Sequence, residues 1–243
     1  MQQFGLIGRS LNYSFSKEYF TNKFNSLSIN ANYQNFECES ISDVEELLNN
    51  CQAFGLNVTM PYKEVIIPLL DFVDPIAIEV GAVNTVVRVD GKWNGYNTDV
   101  FGFKQMIKPF FESHHERAII LGTGGASKAV QYVLEELGCN TIFISRNPTK
   151  QNEFGYEDIN EVMLNSCPII VNTTPVGTFP NSHEIVQVPY QHLSNRQLVI
   201  DLVYNPIETR FLKHAKEQGA TTINGLTMLH QQAEKAWEIW QSN

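Results

Sequence analysis

Short apolar runs recur along the chain and alternate with stretches of helical periodicity, the pattern of a layered α/β protein. Phe4-Gly5-Leu6-Ile7-Gly8, Ala31 to Cys38 and Phe54 to Val58 read as strands. Between them the pattern predicts a helix from Lys17 to about Leu27 and another after Ser42, where Ser42 and Glu45 have the spacing of a capping box. Asp90-Gly91 separates the runs Val83 to Val89 and Trp93 onward, which predicts a hairpin. Gly95 to Asp99 then leads into a helix ending near Ile107. The run Ala118 to Leu121 breaks at Gly122-Thr123-Gly124-Gly125-Ala126-Ser127 and re-enters an apolar run at Thr141 to Ile144. In between, Ala126, Val130, Val133, Leu134 and Leu137 share one helical face, so the segment is a βαβ unit. Strands at Ile169 to Asn172, Leu198 to Val203 and Thr221 to Ile223 continue the alternation, with a helix from about Thr209 to Gln218. A last helix from Leu226 carries the stripe Leu229, Ala233, Ala236, Trp237 and Trp240, with Gln232 beside it. Ligands of open parallel sheets lie off the carboxyl ends of the strands, so the polar loops after these runs should line one crevice.

Composition narrows the classes. At 243 residues and 43% apolar, without a low-complexity tract, the chain can bury one large core or two modest ones. A net charge of -9 argues against nucleic acid or an anionic membrane as partner, so an anionic cofactor would need local positive groups. Cys38, Cys51, Cys139 and Cys167 have no paired spacing and the histidines no ligand spacing, which suits free thiols in a reducing cytosol and no metal site. No apolar run approaches the roughly 18 residues of a membrane span, and no charged segment followed by an apolar core opens the chain. The expectation is a cytoplasmic protein.

The glycine turn carries the first chemistry. Glycines let the backbone approach a pyrophosphate, and the free N–H groups of the following helix favour its charge. A tight strand-to-helix turn also wants glycine for its own backbone reasons, and the sixth position of the pattern is Ser127 rather than Gly. About 20 residues on, where an NAD site carries an acid for the ribose hydroxyl, the chain has Ser145-Arg146-Asn147-Pro148-Thr149-Lys150. A guanidinium there can pair with a 2′-phosphate, which selects NADP; the plainer alternative is that Arg146 and Lys150 are solvated surface cations.

Four ordered motifs resemble the shikimate/quinate dehydrogenase family over nearly the whole chain. They are Ser14-Phe15-Ser16, Asn57-Val58-Thr59-Met60-Pro61-Tyr62-Lys63, the pair Gly81-Ala82-Val83-Asn84-Thr85 with Gly95-Tyr96-Asn97-Thr98-Asp99, and Gly225-Leu226-Thr227-Met228-Leu229 leading to Gln232. The resemblance implies an α/β enzyme of two domains with a cleft between them, reducing 3-dehydroshikimate reversibly to shikimate with NADPH. Residues 1–100, completed by the C-terminal helix 226–243, would hold the substrate, and a Rossmann-like domain of residues 101–225 would hold NADP. It also implies a pocket in which Ser14 and Ser16, with Tyr204, hold the substrate carboxylate and Thr59, Asn84 and Gln232 its hydroxyls. Cofactor contacts would come from Gly122, Gly124, Gly125, Ala126, Ser127, Ser145, Arg146, Lys150, Thr173 and Gly225. No nucleic-acid or membrane partner is expected, and the protein would be a monomer or homodimer.

Hydride delivery to a ketone leaves charge on oxygen, so the site needs a nearby proton donor and a cation aimed at that oxygen. Lys63 can be both, with Asp99 as the other half of a dyad. Reverse oxidation needs Lys63 neutral; desolvation favours that form and Asp99 opposes it, which leaves the balance open. Each polar residue also has a plainer reading: Ser14 and Ser16 as helix caps, Asn84 and Asn97 as turn residues, Asp99 as the N-cap of its helix. Tyr13, Lys17 and Phe179 depart from the family pattern, the last where a methionine near the nicotinamide is common. Rival readings are a quinate or amino-substituted-acid dehydrogenase using NAD, a folate dehydrogenase of the same plan, and a non-catalytic nucleotide sensor.

Overall fold

The computed structural model describes residues 1–11 and 14–242. They fall into two compact units, Met1–Thr98 with the segment from Ala233 onward, and Asp99–Gln232.

The first unit contains β1 (Gln2–Gly8), α1 (Phe15–Ser26), β2 (Ala31–Glu37), α2 (Ile41–Asn50), β3 (Gly55–Val58), β4 (Phe72–Val73), α3 (Pro75–Val80), β5 (Thr85–Val89) and β6 (Lys92–Tyr96). Its sheet runs β2-β1-β3-β5-β6-β4. β1 is parallel to both neighbours, whereas β5 and β6 form the antiparallel hairpin expected at Asp90-Gly91. Both turn residues have positive φ, 49° and 80°, the twist that matches a two-residue hairpin.

Helix starts differ from the sequence pattern. α1 begins at Phe15 rather than Lys17 because Ser14 caps it, its hydroxyl accepting the Lys17 N–H at 3.2 Å. For α2 the capping box forms at Ser40 with Asp43, and the expected pair Ser42 and Glu45 lies inside the helix. The spacing rule is satisfied by either pair, but only Ser40 has the extended backbone a cap requires. α3 and β4 were not legible: a helix of six residues opened by Pro75 and capped by Asp74 is too short to show periodicity.

The second unit takes in α4 (Thr98–Ile107) from Asp99 on, then β7 (Arg117–Leu121), α5 (Gly125–Glu136), β8 (Asn140–Ile144), β9 (Glu153–Phe154), α6 (Glu161–Ser166), β10 (Ile169–Asn172), β11 (Leu198–Asp201), α7 (Arg210–Glu217), β12 (Thr221–Asn224) and α8 (Leu226–Gln241) as far as Gln232. All neighbouring strands of its sheet are parallel, in the order β12-β11-β10-β7-β8-β9. Strands covered on both faces read as continuous apolar runs, as the successive buried residues Ala118 to Leu121, Ile169 to Val171 and Leu198 to Ile200 show. The chain builds outward from β7 through β8 to β9, then returns to lay β10 on the other side of β7. The switch point between β7 and β10 is where a doubly wound sheet opens a crevice.

The stripe on α8 divides with the units. Ala233, Ala236 and Trp240 pack with Phe4, Phe20, Phe24 and Tyr33 in the first unit. Trp240 is fully buried, and its indole N–H donates to the Val86 carbonyl at 3.0 Å. A Cβ on Gly55 would stand 2.3 Å from that indole nitrogen, so the strand is glycine where the ring lies on it. Among the described residues no helix is long and apolar enough to cross a membrane, and no cluster of His, Cys, Asp or Glu is arranged for a metal ion.

Candidate functional site

At the switch point the strand ends are tied together. Thr173, after β10, donates its hydroxyl to the Leu121 carbonyl at 2.7 Å. Gly122 has φ +105°, and a Cβ there would come 2.8 Å from that hydroxyl, so backbone and space both demand glycine. Gly124 occupies the N-cap of α5 without a side-chain cap, and a Cβ on it would meet nothing within 4 Å. Gly125 and Ala126 open the helix, whose first turn holds no acid. An uncapped helix start facing open space, with no carboxylate to repel phosphate, fits a dinucleotide's pyrophosphate. Ser127, at the sixth position of the pattern, is fully buried and donates to the Gly124 carbonyl at 2.5 Å. It is small enough to pack where a third glycine would lie, and its hydroxyl turns inward.

The loop after β8 carries the cations. Ser145 accepts the Asn147 N–H at 3.2 Å and so turns the chain at its start. Arg146 is exposed and, among the described residues, makes no hydrogen bond or ion pair. Lys150 is engaged: its ammonium lies 3.7 Å from Glu153. The Glu153 carboxyl is held below its ordinary range by the backbone N–H of Thr149, helped by the Thr149 hydroxyl and by Lys150.

A buried network lies below the neighbouring loops. Asp201, at the end of β11, accepts the Thr209 hydroxyl at 2.6 Å, the Asn172 amide at 2.9 Å and the Val203 N–H at 3.0 Å. Asn172 in turn accepts the N–H and hydroxyl of Thr174 at 3.0 and 2.6 Å. Burial raises the Asp201 carboxyl to about 6 against these hydrogen bonds. Tyr204 follows at once, partly buried, its hydroxyl pushed up by burial. Gly225 approaches the chain so closely that a Cβ would lie 2.1 Å from the Leu202 carbonyl oxygen. Gln232 is buried on α8 against α4, where a Cβ on Gly102 would stand 3.1 Å from its own Cβ. Asp99 is buried in the first turn of α4, one residue inside the helix rather than at its cap.

The first unit holds the other predicted residues. Lys63 is partly buried after β3, its carbonyl accepting the Val83 N–H at 2.7 Å. Thr59 donates its N–H to the Ile7 carbonyl at 2.9 Å. Asn84 accepts the Thr98 N–H at 2.7 Å and donates to the Thr98 hydroxyl at 3.0 Å, so it secures the start of α4. Asn97 anchors its own turn on the Ala82 carbonyl at 2.8 Å. Asn57 accepts the Tyr33 hydroxyl at 2.8 Å and donates to the Thr85 hydroxyl at 3.1 Å, and Tyr33 also hydrogen-bonds Ser16. Burial pushes the Tyr33 hydroxyl far up, so it serves as a neutral donor. The structure thus joins Ser16 and Asn84 through Tyr33, which lies in none of the motifs, and through Asn57, Thr85 and Thr98, which belong to the motifs but carried no assigned role. Asn57 and Asn172 were visible as lone amides in apolar strand runs, where a polar group must be satisfied. Of the departures, Lys17 is exposed with its N–H in the α1 cap, and Phe179 is 46% exposed. Tyr13 lies outside the described residues.

Comparisons with known proteins give the chain's relatives. A family model of the shikimate dehydrogenase substrate-binding domain matches residues 6–86. The shikimate dehydrogenase (NADP(+)) of Halothermothrix orenii is 37% identical, over 98% of this chain and 90% of its own. A shikimate 5-dehydrogenase from Thermus thermophilus, solved with NADP(H) and shikimate, is 30% identical with a TM-score of 0.87, covering 100% of this chain and 94% of the other. A quinate dehydrogenase from Corynebacterium glutamicum, solved with NAD, has the same TM-score of 0.87 at 27% identity, covering 100% and 94%. Equal scores for the last two mean that backbone shape does not separate the acids or the cofactors, and side chains must. Sequence identity sustained across both units establishes that the chain belongs to the shikimate dehydrogenase family.

Proposed function

We propose that this chain is an NADP-dependent oxidoreductase that interconverts 3-dehydroshikimate and shikimate, in the biosynthetic direction by reduction. The observation that carries the cofactor choice is Arg146, exposed and without an ion-pair partner among the described residues, where an NAD site would hold an acid. Bound NADPH supplies the hydride. Arg146 pairs with its 2′-phosphate while Ser145 turns the loop and Lys150 adds positive potential; Gly122, Gly124, Gly125, Ala126 and Ser127 shape the pyrophosphate seat, with Thr173 and Gly225 lining the same edge.

Lys63 donates the proton to the ketone oxygen and stabilises the charge that develops there, with Asp99 orienting its ammonium. Ser14, Ser16 and Tyr204 hold the carboxylate, and Thr59, Asn84 and Gln232 the hydroxyls. Tyr33 and Asn57 support this reading, because they fix Ser16 and the Asn84 segment before any ligand arrives. We place the substrate domain at residues 1–100 with 226–243 and the NADP domain at 101–225; the compact units support it, although their second break falls within α8.

Oxidation of quinate with NAD is the second reading, favoured by the likeness to the quinate dehydrogenase. The test is reduced-nicotinamide absorbance when the purified protein meets shikimate or quinate with NADP or NAD. Turnover of shikimate with NADP is expected to dominate, and a preference for quinate with NAD would overturn the assignment.

A further inference from the structure

The connection from β8 to β9 crosses between parallel strands without a helix, through residues 145–152. Such a loop has little of its own to hold it, and ordering a loop on binding costs free energy that weakens affinity. Glu153, the first residue of β9, supplies the missing order. Its carboxylate accepts the Thr149 N–H at 2.8 Å, the Thr149 hydroxyl at 3.2 Å and the Lys150 N–H at 3.3 Å, and faces the Lys150 ammonium at 3.7 Å. The Glu153 side chain is only 5% exposed, whereas that of Lys150 is 71% exposed. The acid therefore points into the loop, surrounded by donors, and not toward solvent. The base is closed by backbone bonds, Glu153 N–H to the Lys150 carbonyl at 3.0 Å and Ser145 N–H to the Phe154 carbonyl at 2.9 Å.

An acid beside a phosphate-recognising loop is at first sight misplaced, since its field opposes the phosphate. The hydrogen bonding resolves this, because donors on several sides offset the charge. It also divides the labour between the cations. Lys150 is held by Glu153, which leaves Arg146 as the cation of this loop without an ion-pair partner among the described residues. Resting on the NADP reading above, we propose that Glu153 is a positioning residue for cofactor selection: it holds the loop so that Arg146 meets the 2′-phosphate, and Lys150 acts mainly through it.

The test compares KM for NADPH and NADH, at saturating 3-dehydroshikimate, in the wild-type protein and in Glu153→Ala, Glu153→Gln, Lys150→Ala and Arg146→Ala. Glu153→Ala is expected to raise KM for NADPH roughly ten-fold more than KM for NADH, with kcat nearly constant, the scale of one charge-assisted hydrogen-bond set. Glu153→Gln should recover most of the loss, because its amide oxygen can still accept the Thr149 and Lys150 N–H groups. Lys150→Ala should cost less than Arg146→Ala. Equal losses with both cofactors, an unchanged NADPH preference, tighter NADPH binding in Glu153→Ala, or a Lys150→Ala loss matching that of Arg146→Ala would each overturn the proposal. If Glu153→Ala melts early and yields no enzyme, the Gln variant decides: a preference shifted less than roughly three-fold supports positioning through neutral acceptance, and a full ten-fold shift refutes it. A wild-type protein without NADPH preference would instead sink the cofactor reading itself.

Discussion

Two buried polar clusters hold the loops at the carboxyl edges of the two sheets, and they are built from opposite materials. In the first unit the hydrogen bonds that join Tyr33, Asn57, Asn84, Thr85 and Thr98 to one another run between hydroxyls and amides. In the second, Asn172, Thr209 and Val203 converge on Asp201, an acid that is fully buried. A neutral network keeps its geometry over a wide pH range. One centred on a carboxylate changes its donor and acceptor count when the acid takes up a proton. Both solutions satisfy buried polar groups, and the second, through Asp201, couples loop order to pH.

The largest effect expected bears on chemistry rather than on either scaffold. Lys63→Ala should lower kcat by roughly 10²–10⁴ with a modest change in substrate KM, as loss of a general acid does; near-normal turnover would remove Lys63 from the mechanism. Next comes the charged cluster. The Asp201 carboxyl sits at about 6 against an ordinary 3.8, so the folded protein holds that proton more tightly than the unfolded chain. Its stabilising contribution is full below the ordinary value and is lost as pH rises through about 6, a change of about 3 kcal/mol. Denaturant titrations from acid to neutral pH should show the stability difference, wild type minus Asp201→Asn, falling across that window. A flat difference would mean that the acid is not buried in solution as it is here.

Asn57→Ala is the matching cut in the neutral cluster. It strips partners from the buried Tyr33 and Thr85 hydroxyls and should cost about 1–3 kcal/mol, to the same extent at every pH between those values. A cost that varied with pH would erase the contrast between the clusters. The smallest effect expected is Arg146→Ala, which should raise KM for NADPH by roughly ten-fold while sparing NADH, as loss of one exposed charged pair would. An equal rise for both cofactors would mean that the arginine does not read the 2′-phosphate.

The elements most legible in advance were those whose pattern is local. β1, β7, β8, β10 and β11 appear as apolar runs because both faces are covered, and the Asp90-Gly91 hairpin needed only its two turn residues. Short elements were not legible: α3 spans less than two helical turns, and β4 and β9 are two residues each. The choice of Ser40 over Ser42 as a cap was also beyond spacing, since the backbone angle at each serine is set by where β2 ends. For the candidate site, the glycine turn and Arg146 stood out as local signals. Glu153 did not, because an acid close to lysine in sequence usually lies on a solvated face, and only the return of β9 beside β8 turns it into the loop.

The chain alone determined the alternation of strands and helices, the glycines that only backbone geometry explains, and the residue types available for hydride chemistry. Periodicity and local conformational limits act over a few residues, so they can be read in one dimension. Tertiary structure decided which polar groups meet: that Asn57 serves Tyr33, that Asp201 is buried, that Lys150 is engaged and Arg146 exposed. The pairings of Asn57 with Tyr33 and of Asp201 with Asn172 join residues distant in sequence, and the free energy of satisfying a buried polar group depends on the partner brought to it, which no spacing rule encodes.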